Sequence, residues 1–383
     1  MIENRLQQEL AEIATLGLSR RRRVLESPCG RIATVDGKKV LNFASNDYLG
    51  LAGNAEIAQA MAEGATQWGA GSGASHLVSG HLAPHEALEK EIAAFVGFQR
   101  ALTFSTGYLA NLAVTPTLAG RGDAVFADKL NHASLNDACL LARAGFKRFR
   151  HNDLAQLQTL LAASTARRKV IAVDAVFSMD GDFAPLTDLL HLAEAHDAWL
   201  YLDDAHGFGL LGPHGQGSLA HWAINSPRIV YMATLGKAAG VAGAFVAGQA
   251  DLIQWLINKA HTYIYTTAQP PMLAATVSAS LQLITNEGWR RERLQALIQQ
   301  LRAGCESLPW RLLPSSTAIQ PLQIGGSAAA LALAQQLRER GIWVPAIRPP
   351  TVPEGTARLR ISLSAEHTAD DVNTLLAALK ELA

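Results

Sequence analysis

A mainly parallel α/β sheet sandwiched by helices, with a smaller C-terminal α+β unit, is the fold class this chain predicts. Three observations predict it. From residue 100 onward strand and helix patterns alternate, the order that builds parallel sheets covered on both faces. The run Val170–Val176 is apolar and β-branched, as a strand buried on both faces requires. Beyond Pro270-Pro271 the alternation gives way to a long helical region and isolated strands. The 383 residues suffice for two domains or one large α/β unit, and 49% apolar residues supply a sizeable core.

The elements follow in order. Ile2, Leu6, Leu10 and Ile13 form one stripe of an amphipathic helix. This N-terminus lacks the apolar core of a signal peptide, and no run approaches the roughly 18 apolar residues of a membrane span. Arg20-Arg21-Arg22-Arg23 is either a solvated turn after that helix or the anion-binding edge of a site. A helical stretch ends near Trp68, ahead of Gly69-Ala70-Gly71-Ser72-Gly73-Ala74. That segment formally fits a dinucleotide pattern, but a helix precedes it where a strand should. It reads as a flexible loop that lets backbone approach a ligand or a neighbouring subunit. His81 and His85 have the spacing of a helical zinc pair, but Pro84 lies between them and no HExxH glutamate is present, so no metal is expected.

Ala101–Phe104 is a strand, Tyr108–Leu118 a helix weakened by Pro116 and closed by Gly120, and Ala124–Ala127 a strand. Ser134–Ala144 is a helix with Gly145 just past its end. After the Val170–Val176 strand come a helix over Leu186–His196 and strands at Trp199–Asp203, Ile229–Met232 and Ala244–Val246. One helical region runs from Pro271 to about Leu301, strands lie near Ala318–Ile324 and Ala357–Leu363, and Asp370–Leu382 is an amphipathic helix. The expected division is an N-terminal helix and arm (1–42), a large α/β domain (43–270) and a small α+β domain (271–383).

Composition narrows the function. Lys+Arg and Asp+Glu are equal at 33 each, which gives no global pull toward nucleic acid or an acidic membrane. Three widely spaced cysteines, Cys29, Cys139 and Cys305, fit a reducing cytoplasm.

Two strand-end segments carry the chemistry. Asp203 and His206, three residues apart, can hold an aromatic cofactor by its ring nitrogen and phenolic oxygen. A buried carboxylate keeps a pyridine nitrogen protonated, ready to accept carbanion charge. Neighbouring strand residues point to opposite sides, so only one of Asp203 and Asp204 faces the ring, and Asp203 is the choice. Taken alone, the pair also fits a strand-end cap or a metal site. Lys237, in Thr234-Leu235-Gly236-Lys237, can form an imine once burial or nearby cations lower its pKa from about 10.4. A P-loop reading fails, because Ala238 stands where Ser or Thr should bind magnesium. Together Lys237, Asp203 and His206 point to a pyridoxal-phosphate enzyme. Ser105-Thr106-Gly107-Tyr108 bridges strand and helix, where free backbone donors suit a phosphate, although taken alone it reads as an ordinary βα turn. His132, after Asn131, can stack on a planar cofactor, although a lone histidine is more often structural.

The ordered set Asn42–Gly50, Asn131-His132-Ala133-Ser134, Val176–Gly181, Asp203–Gly207 and Thr234–Lys237 resembles the α-oxoamine synthases, fold-type-I pyridoxal-phosphate enzymes, over essentially the whole chain. The resemblance implies a homodimer with active sites at the interface. It implies that Lys237 carries the cofactor and then serves as base, that Asp203 pairs with the pyridine nitrogen, and that His206 contacts the phenolic oxygen. His132 would stack on the ring and Ser178 sit beside it. Gly107, Tyr108 and Thr234 would hold the phosphate or cofactor edge, and Thr267 would reach the phosphate of the other subunit. Arg348 would bind the amino-acid carboxylate, with Arg20 and Thr351 at further substrate contacts.

Within that family, Ile347–Pro353 followed by Gly355–Arg360 is similar to the branch that condenses L-alanine with pimeloyl-CoA or a pimeloyl-carrier protein in biotin synthesis. The alternatives are a sibling enzyme using glycine or serine, and a non-catalytic dimeric scaffold, which intact Lys237, Asp203 and His206 oppose. One departure is Leu235 and Ala239, where the family carries Phe and a larger residue; altered packing around Lys237 is expected.

Overall fold

The computed structural model describes residues 2–15, 18–20 and 22–383; Arg21, within the arginine run, lies outside the described residues. A helix over Ile2–Thr15 opens the chain, and its Leu6, Leu10 and Ile13 are exposed. Strands β1 (Ile32–Val35) and β2 (Lys38–Asn42) then form an antiparallel hairpin. Asp36 and Gly37 both take positive φ, which matches the twist of a tight hairpin turn.

The central sheet has seven strands: β3 (Arg100–Phe104), β4 (Ala124–Asp128), β5 (Gly145–Phe149), β6 (Lys169–Asp174), β7 (Ala198–Asp203), β8 (Ile229–Thr234) and β9 (Ala244–Gly248). Their spatial order is β3-β9-β8-β7-β6-β4-β5, and only β9 runs against its neighbours. The period of two sorts each strand onto two cores. Val170, Ala172, Tyr201 and Val230 pack against helices Gly107–Leu118, Ala133–Leu141 and Ala250–Lys259. Ile171, Val173, Leu200 and Ile229 face the opposite core, with Leu157, Leu161 and Leu189 from helices Leu154–Ala162 and Leu186–Ala195. The parallel, two-faced sheet predicted from the alternation is therefore present.

The last third of the chain folds on helices Trp289–Cys305, Ser327–Glu339 and Ala369–Glu381. Strands β10 (Arg311–Leu312), β11 (Ile319–Gly325), β13 (Ala346–Ile347) and β14 (Ala357–Ser362) form an antiparallel sheet ordered β10-β11-β14-β13. Strand β12 (Ile342–Trp343) instead pairs with β2 of the N-terminal hairpin. The smaller unit thus draws on both ends of the chain.

Several boundaries differ from the sequence reading. The helix expected over Ser134–Ala144 ends at Leu141, Arg143 turns with positive φ, and Gly145 opens edge strand β5. The helix before β4 is capped at Ala119, one residue before Gly120. The helical region after Pro271 is two helices, Pro271–Asn286 and Trp289–Cys305, parted at Glu287-Gly288. No helix of the described residues is long and apolar enough to cross a membrane.

Candidate active site

Strands β6, β7 and β8 end side by side, with Asp174 in register with Asp203 and Asp203 with Met232. Ligands in such sheets bind beyond the carboxyl ends of the strands. There the structure opens a cleft with about 560 Å³ of free space. It is lined by Gly107, Tyr108, Asn111, His132, Ser134, Asp174, Val176, Ser178, Asp203, Ala205, His206, Met232, Thr234 and Lys237. Eight expected site residues (Gly107, Tyr108, His132, Ser178, Asp203, His206, Thr234 and Lys237), scattered over more than a hundred positions of sequence, thus meet in one crevice.

Asp203 faces the cleft. Its Oδ2 accepts from Asn111 Nδ2 at 2.8 Å and its Oδ1 from the Ala205 amide at 3.0 Å. Asn111 is itself fixed by Ser134 Oγ at 2.8 Å and accepts from Tyr201 Oη at 2.5 Å. Asp204 points into the other core and accepts from the Ser218 amide (2.7 Å), Ser218 Oγ (2.6 Å) and Tyr231 Oη (2.7 Å).

Lys237 sits in a tight turn after β8, closed by the Gly240 amide on Lys237 O at 2.9 Å and the Leu235 amide on Gly243 O at 2.8 Å. Gly240 has φ +67, and a Cβ there would stand 2.5 Å from the Ala52 nitrogen, so only glycine fits. Lys237 Nζ lies 2.8 Å from His206 Nε2, and His206 Nδ1 lies 2.7 Å from Tyr48 Oη. Tyr48 Oη donates to Asn46 Oδ1 at 3.1 Å. A neutral His206 carrying its proton on Nδ1 satisfies this chain: it accepts at Nε2 and donates to Tyr48. Burial, then the Lys237 ammonium, hold His206 well below the usual imidazole range. Burial pushes the Lys237 amine down to about 8, against the pull of Asp203 and Asp174.

His132 is exposed at the cleft mouth and caps helix Ala133–Leu141. Its Nδ1 lies 2.7 Å from Ser134 Oγ, and its amide donates to Asp174 Oδ2 at 3.0 Å. The other oxygen of Asp174 is buried with no partner among the described residues. Burial and the neighbouring Asp203 charge raise the Asp174 carboxyl well above its ordinary value. Helix Gly107–Leu118 begins at the cleft; Thr106 Oγ1 takes the Leu109 amide at 3.1 Å. The Gly107 and Tyr108 amides, in its first turn, have no intrahelical acceptor and are free for an anion. Tyr108 Oη donates to Asp137.

Four expected residues do not line the cleft. Arg348 is half-buried and donates to Ser19 O at 3.3 Å, beside the exposed Arg20; Thr351 and Thr267 are also exposed. A second guanidinium lies behind the turn that carries Ser178. Arg360 is buried, donates to Ser178 O (2.7 Å), Asn46 Oδ1 (3.1 Å) and Tyr48 Oη (3.4 Å), and its charge acts on both Lys237 and His206. Tyr48, Asn111, Asp174 and Arg360 are site residues to which the sequence alone attached no role. His81 and His85 are joined by His76, whose Nδ1 lies 2.9 Å from His81 Nδ1. Both ring nitrogens of His85 are engaged, by the Leu82 amide at 3.0 Å and by Gln269 O at 2.9 Å.

A family model described as aminotransferase class I and II matches residues 38–379. An 8-amino-7-oxononanoate synthase of Dechloromonas aromatica (strain RCB) is 67% identical, covering 100% of both chains. A solved lysine-to-alanine variant of serine palmitoyltransferase from S. paucimobilis, with a bound PLP-myriocin aldimine, superposes with a TM-score of 0.92 at 30% identity, covering 98% of this chain and 96% of that one. The solved 8-amino-7-oxononanoate synthase from Francisella tularensis gives a TM-score of 0.78 at 32% identity, covering 90% and 98%.

Proposed function

From a chain that belongs to the class I and II aminotransferase family, we propose the decarboxylative condensation of L-alanine with a pimeloyl thioester, giving 8-amino-7-oxononanoate, carbon dioxide and the free thiol carrier. The observation that carries this reading is the cleft itself. A desolvated amine, an aspartate, a neutral histidine and a helix N-terminus converge in it, within a chain 67% identical over its full length to an 8-amino-7-oxononanoate synthase.

The donor set fits pyridoxal phosphate. Asp203 would face the ring nitrogen, His132 a ring face, and His206 and Ser178 the phenolic edge. The free amides of Gly107 and Tyr108, with Thr234, would take the phosphate, and Lys237 would carry the carbonyl carbon. When bound, the cofactor supplies an electron sink for charge developing at the amino-acid α-carbon. The chain's own work is then proton handling and orientation. Lys237 Nζ takes the proton from the α-carbon of alanine and returns one to the product carbon. A pKa of about 8 lets this amine be a base near neutral pH. His206 and Tyr48 aim Nζ by their hydrogen-bonded chain. Asn111 keeps Asp203 oriented, and Arg360, bonded to Ser178 O, Asn46, Ser362 and Tyr48, braces the turn that carries Ser178. Arg348 would bind the alanine carboxylate, with Arg20 and Thr351 in the same substrate-contacting set.

We further propose a cytoplasmic homodimer whose sites are completed by the partner subunit's Thr267. In support, Thr267 is exposed, as are the apolar Tyr265, Leu77 and Val78, in segments joined by the Ala268 amide on Ala74 O, and all three cysteines are free. The acyl carrier is either coenzyme A or a carrier protein. The test is mass-spectrometric product analysis of the holoenzyme supplied with pimeloyl-CoA and, separately, L-alanine, glycine or L-serine. Formation of 8-amino-7-oxononanoate with alanine alone is expected; turnover only with glycine or serine would move the enzyme to a sibling branch.

A further inference from the structure

The turn that carries Ser178 into the cleft is held from two sides. The Phe177 amide bonds to Asp182 O at 3.0 Å, the Gly181 amide to Phe177 O at 2.8 Å, and Val176 bridges to Phe183. On the small-domain side Arg358 Nη1 donates to Asp180 Oδ1 at 2.5 Å and Arg360 Nε to Ser178 O at 2.7 Å. On the large-domain side the His151 ring and the side-chain amide of the next residue do the holding. His151 Nε2 lies 2.8 Å from Asp182 Oδ2, and its Nδ1 lies 3.2 Å from both oxygens of Asp128, a fully buried residue at the end of β4. The same ring meets Phe177 edge-on at 4.4 Å. Asn152, with φ 54, adds bonds to Asp182 Oδ2 at 3.3 Å and Phe183 O at 3.1 Å.

We propose that His151, clamped between Asp128 and Asp182, is a positioning residue that sets the turn 177–182 and thereby the placement of Ser178 at the cofactor. His151 does not line the cleft, so it acts through the turn. Burial opposes its protonation, but the two carboxylates outweigh that and raise its pKa to about 10, so the ring is a cation with both N–H groups donating. Asp182 Oδ1 is buried without a partner among the described residues, and His151 is the cation on its other oxygen, the counter-charge that keeps Asp182, and the chain around it, in place. A neutral side chain at 151 would leave two carboxylates facing each other without it, and like charges would push the turn away from β4. Because Ser178 sits one residue beyond Phe177, an ångström of drift moves its hydroxyl relative to the ring edge.

The inference rests on pyridoxal phosphate occupying the cleft. The test compares wild-type, His151→Gln, Ser178→Ala and the double variant as purified holoenzymes. It reads the visible band of bound cofactor, kcat and the alanine KM, and the melting temperature. Expected for His151→Gln are the band shift seen in Ser178→Ala, a roughly tenfold to hundredfold loss of kcat, and little change in alanine KM. The double variant should lose no more than the worse single variant. Multiplying losses, or a His151→Gln band identical to wild type, would overturn the proposal, since a merely stabilising histidine lowers the melting temperature without touching the band. If His151→Gln yields no soluble protein, Asp182→Asn is read by the same criteria. A wild-type enzyme that binds the cofactor yet makes no product from alanine and pimeloyl-CoA would defeat the substrate assignment alone, and the band comparison would still decide the role of His151.

Discussion

Asp203 and Asp204 are consecutive residues at one strand end, and the two sides of that end treat a carboxylate in opposite ways. On the inner side Asp204 is buried and its oxygens take three hydrogen bonds from Ser218 and Tyr231. On the cleft side Asp203 shares its wall with Asp174, whose Oδ1 has no partner among the described residues, and with an amine and an imidazole that burial drives toward neutrality. Residue type is the same on both sides. What separates architecture from chemistry is whether the surrounding donors are complete, because an incompletely paired polar group in a desolvated cleft is tolerated only where a ligand completes it.

The largest test of this contrast is Lys237→Ala. Product formation should fall by on the order of 10⁴-fold or more, measured with alanine and pimeloyl-CoA. The apo-protein's melting temperature should hold or rise, since removing a desolvated amine relieves the fold. Substantial turnover by this variant would refute the role of Lys237. Next, the two aspartates should fail differently. Asp203→Asn should lose roughly a hundredfold in kcat while retaining bound cofactor and a near-wild-type melt. Asp204→Ala should strand the Ser218 and Tyr231 donors and cost about 1–3 kcal/mol of stability, with kcat within a few-fold of wild type. Equal activity of Asp203→Asn and the parent, or a collapse of kcat in folded Asp204→Ala, would erase the distinction.

The same contrast explains what could be read from the chain. Asp203, His206 and Lys237 were legible because they lie at or just beyond the ends of two strands marked by apolar runs, and strand ends share a crevice by geometry. That only one of Asp203 and Asp204 faces the cleft followed from the alternation of strand side chains, which does not itself say which one. Tyr48, Asn111 and Arg360 were not legible as site residues, because their partners His206, Asp203 and Ser178 stand 158, 92 and 182 residues away. No local period encodes such pairings. Edge strand β5 was missed for a related reason: Gly145-Phe146-Lys147-Arg148-Phe149 is polar and half-exposed, so it lacks the continuous apolar run that marked its buried neighbours.

Two arginines carry the comparison to the substrate. Arg360 is buried against Tyr48 and Asn46, whereas Arg348 is half-buried and bonded to Ser19 O. By the completeness criterion Arg360, with all three nitrogens bonded, is architecture. Arg348→Lys should therefore raise the alanine KM on the order of tenfold, the value of a lost charge-assisted hydrogen bond. Arg360→Lys, which keeps the cation, should raise it only about two- to threefold. The reverse ranking would move the carboxylate to Arg360.

The smallest effect is a displacement along the pH axis. The Lys237 amine sits at about 8 in the folded protein, below its ordinary 10.5, chiefly because it is desolvated. Capture of pyridoxal phosphate by apo-protein needs the neutral amine, so the capture rate should rise through pH about 8 and level off above it. A free lysine would still be climbing at pH 10. The same depression couples to stability with a definite sign. Between about 8 and 10.5 the unfolded chain holds a proton on this lysine that the folded chain does not, so raising the pH through that window favours the fold. Lys237→Met lacks the group, so the apo stability difference between it and wild type should be largest below pH 8 and shrink as the pH approaches 10.5. A capture rate that tracks an unshifted lysine would mean that the amine is solvated, and the cleft side of the strand end would then differ from an ordinary surface far less than the contrast between Asp203 and Asp204 requires.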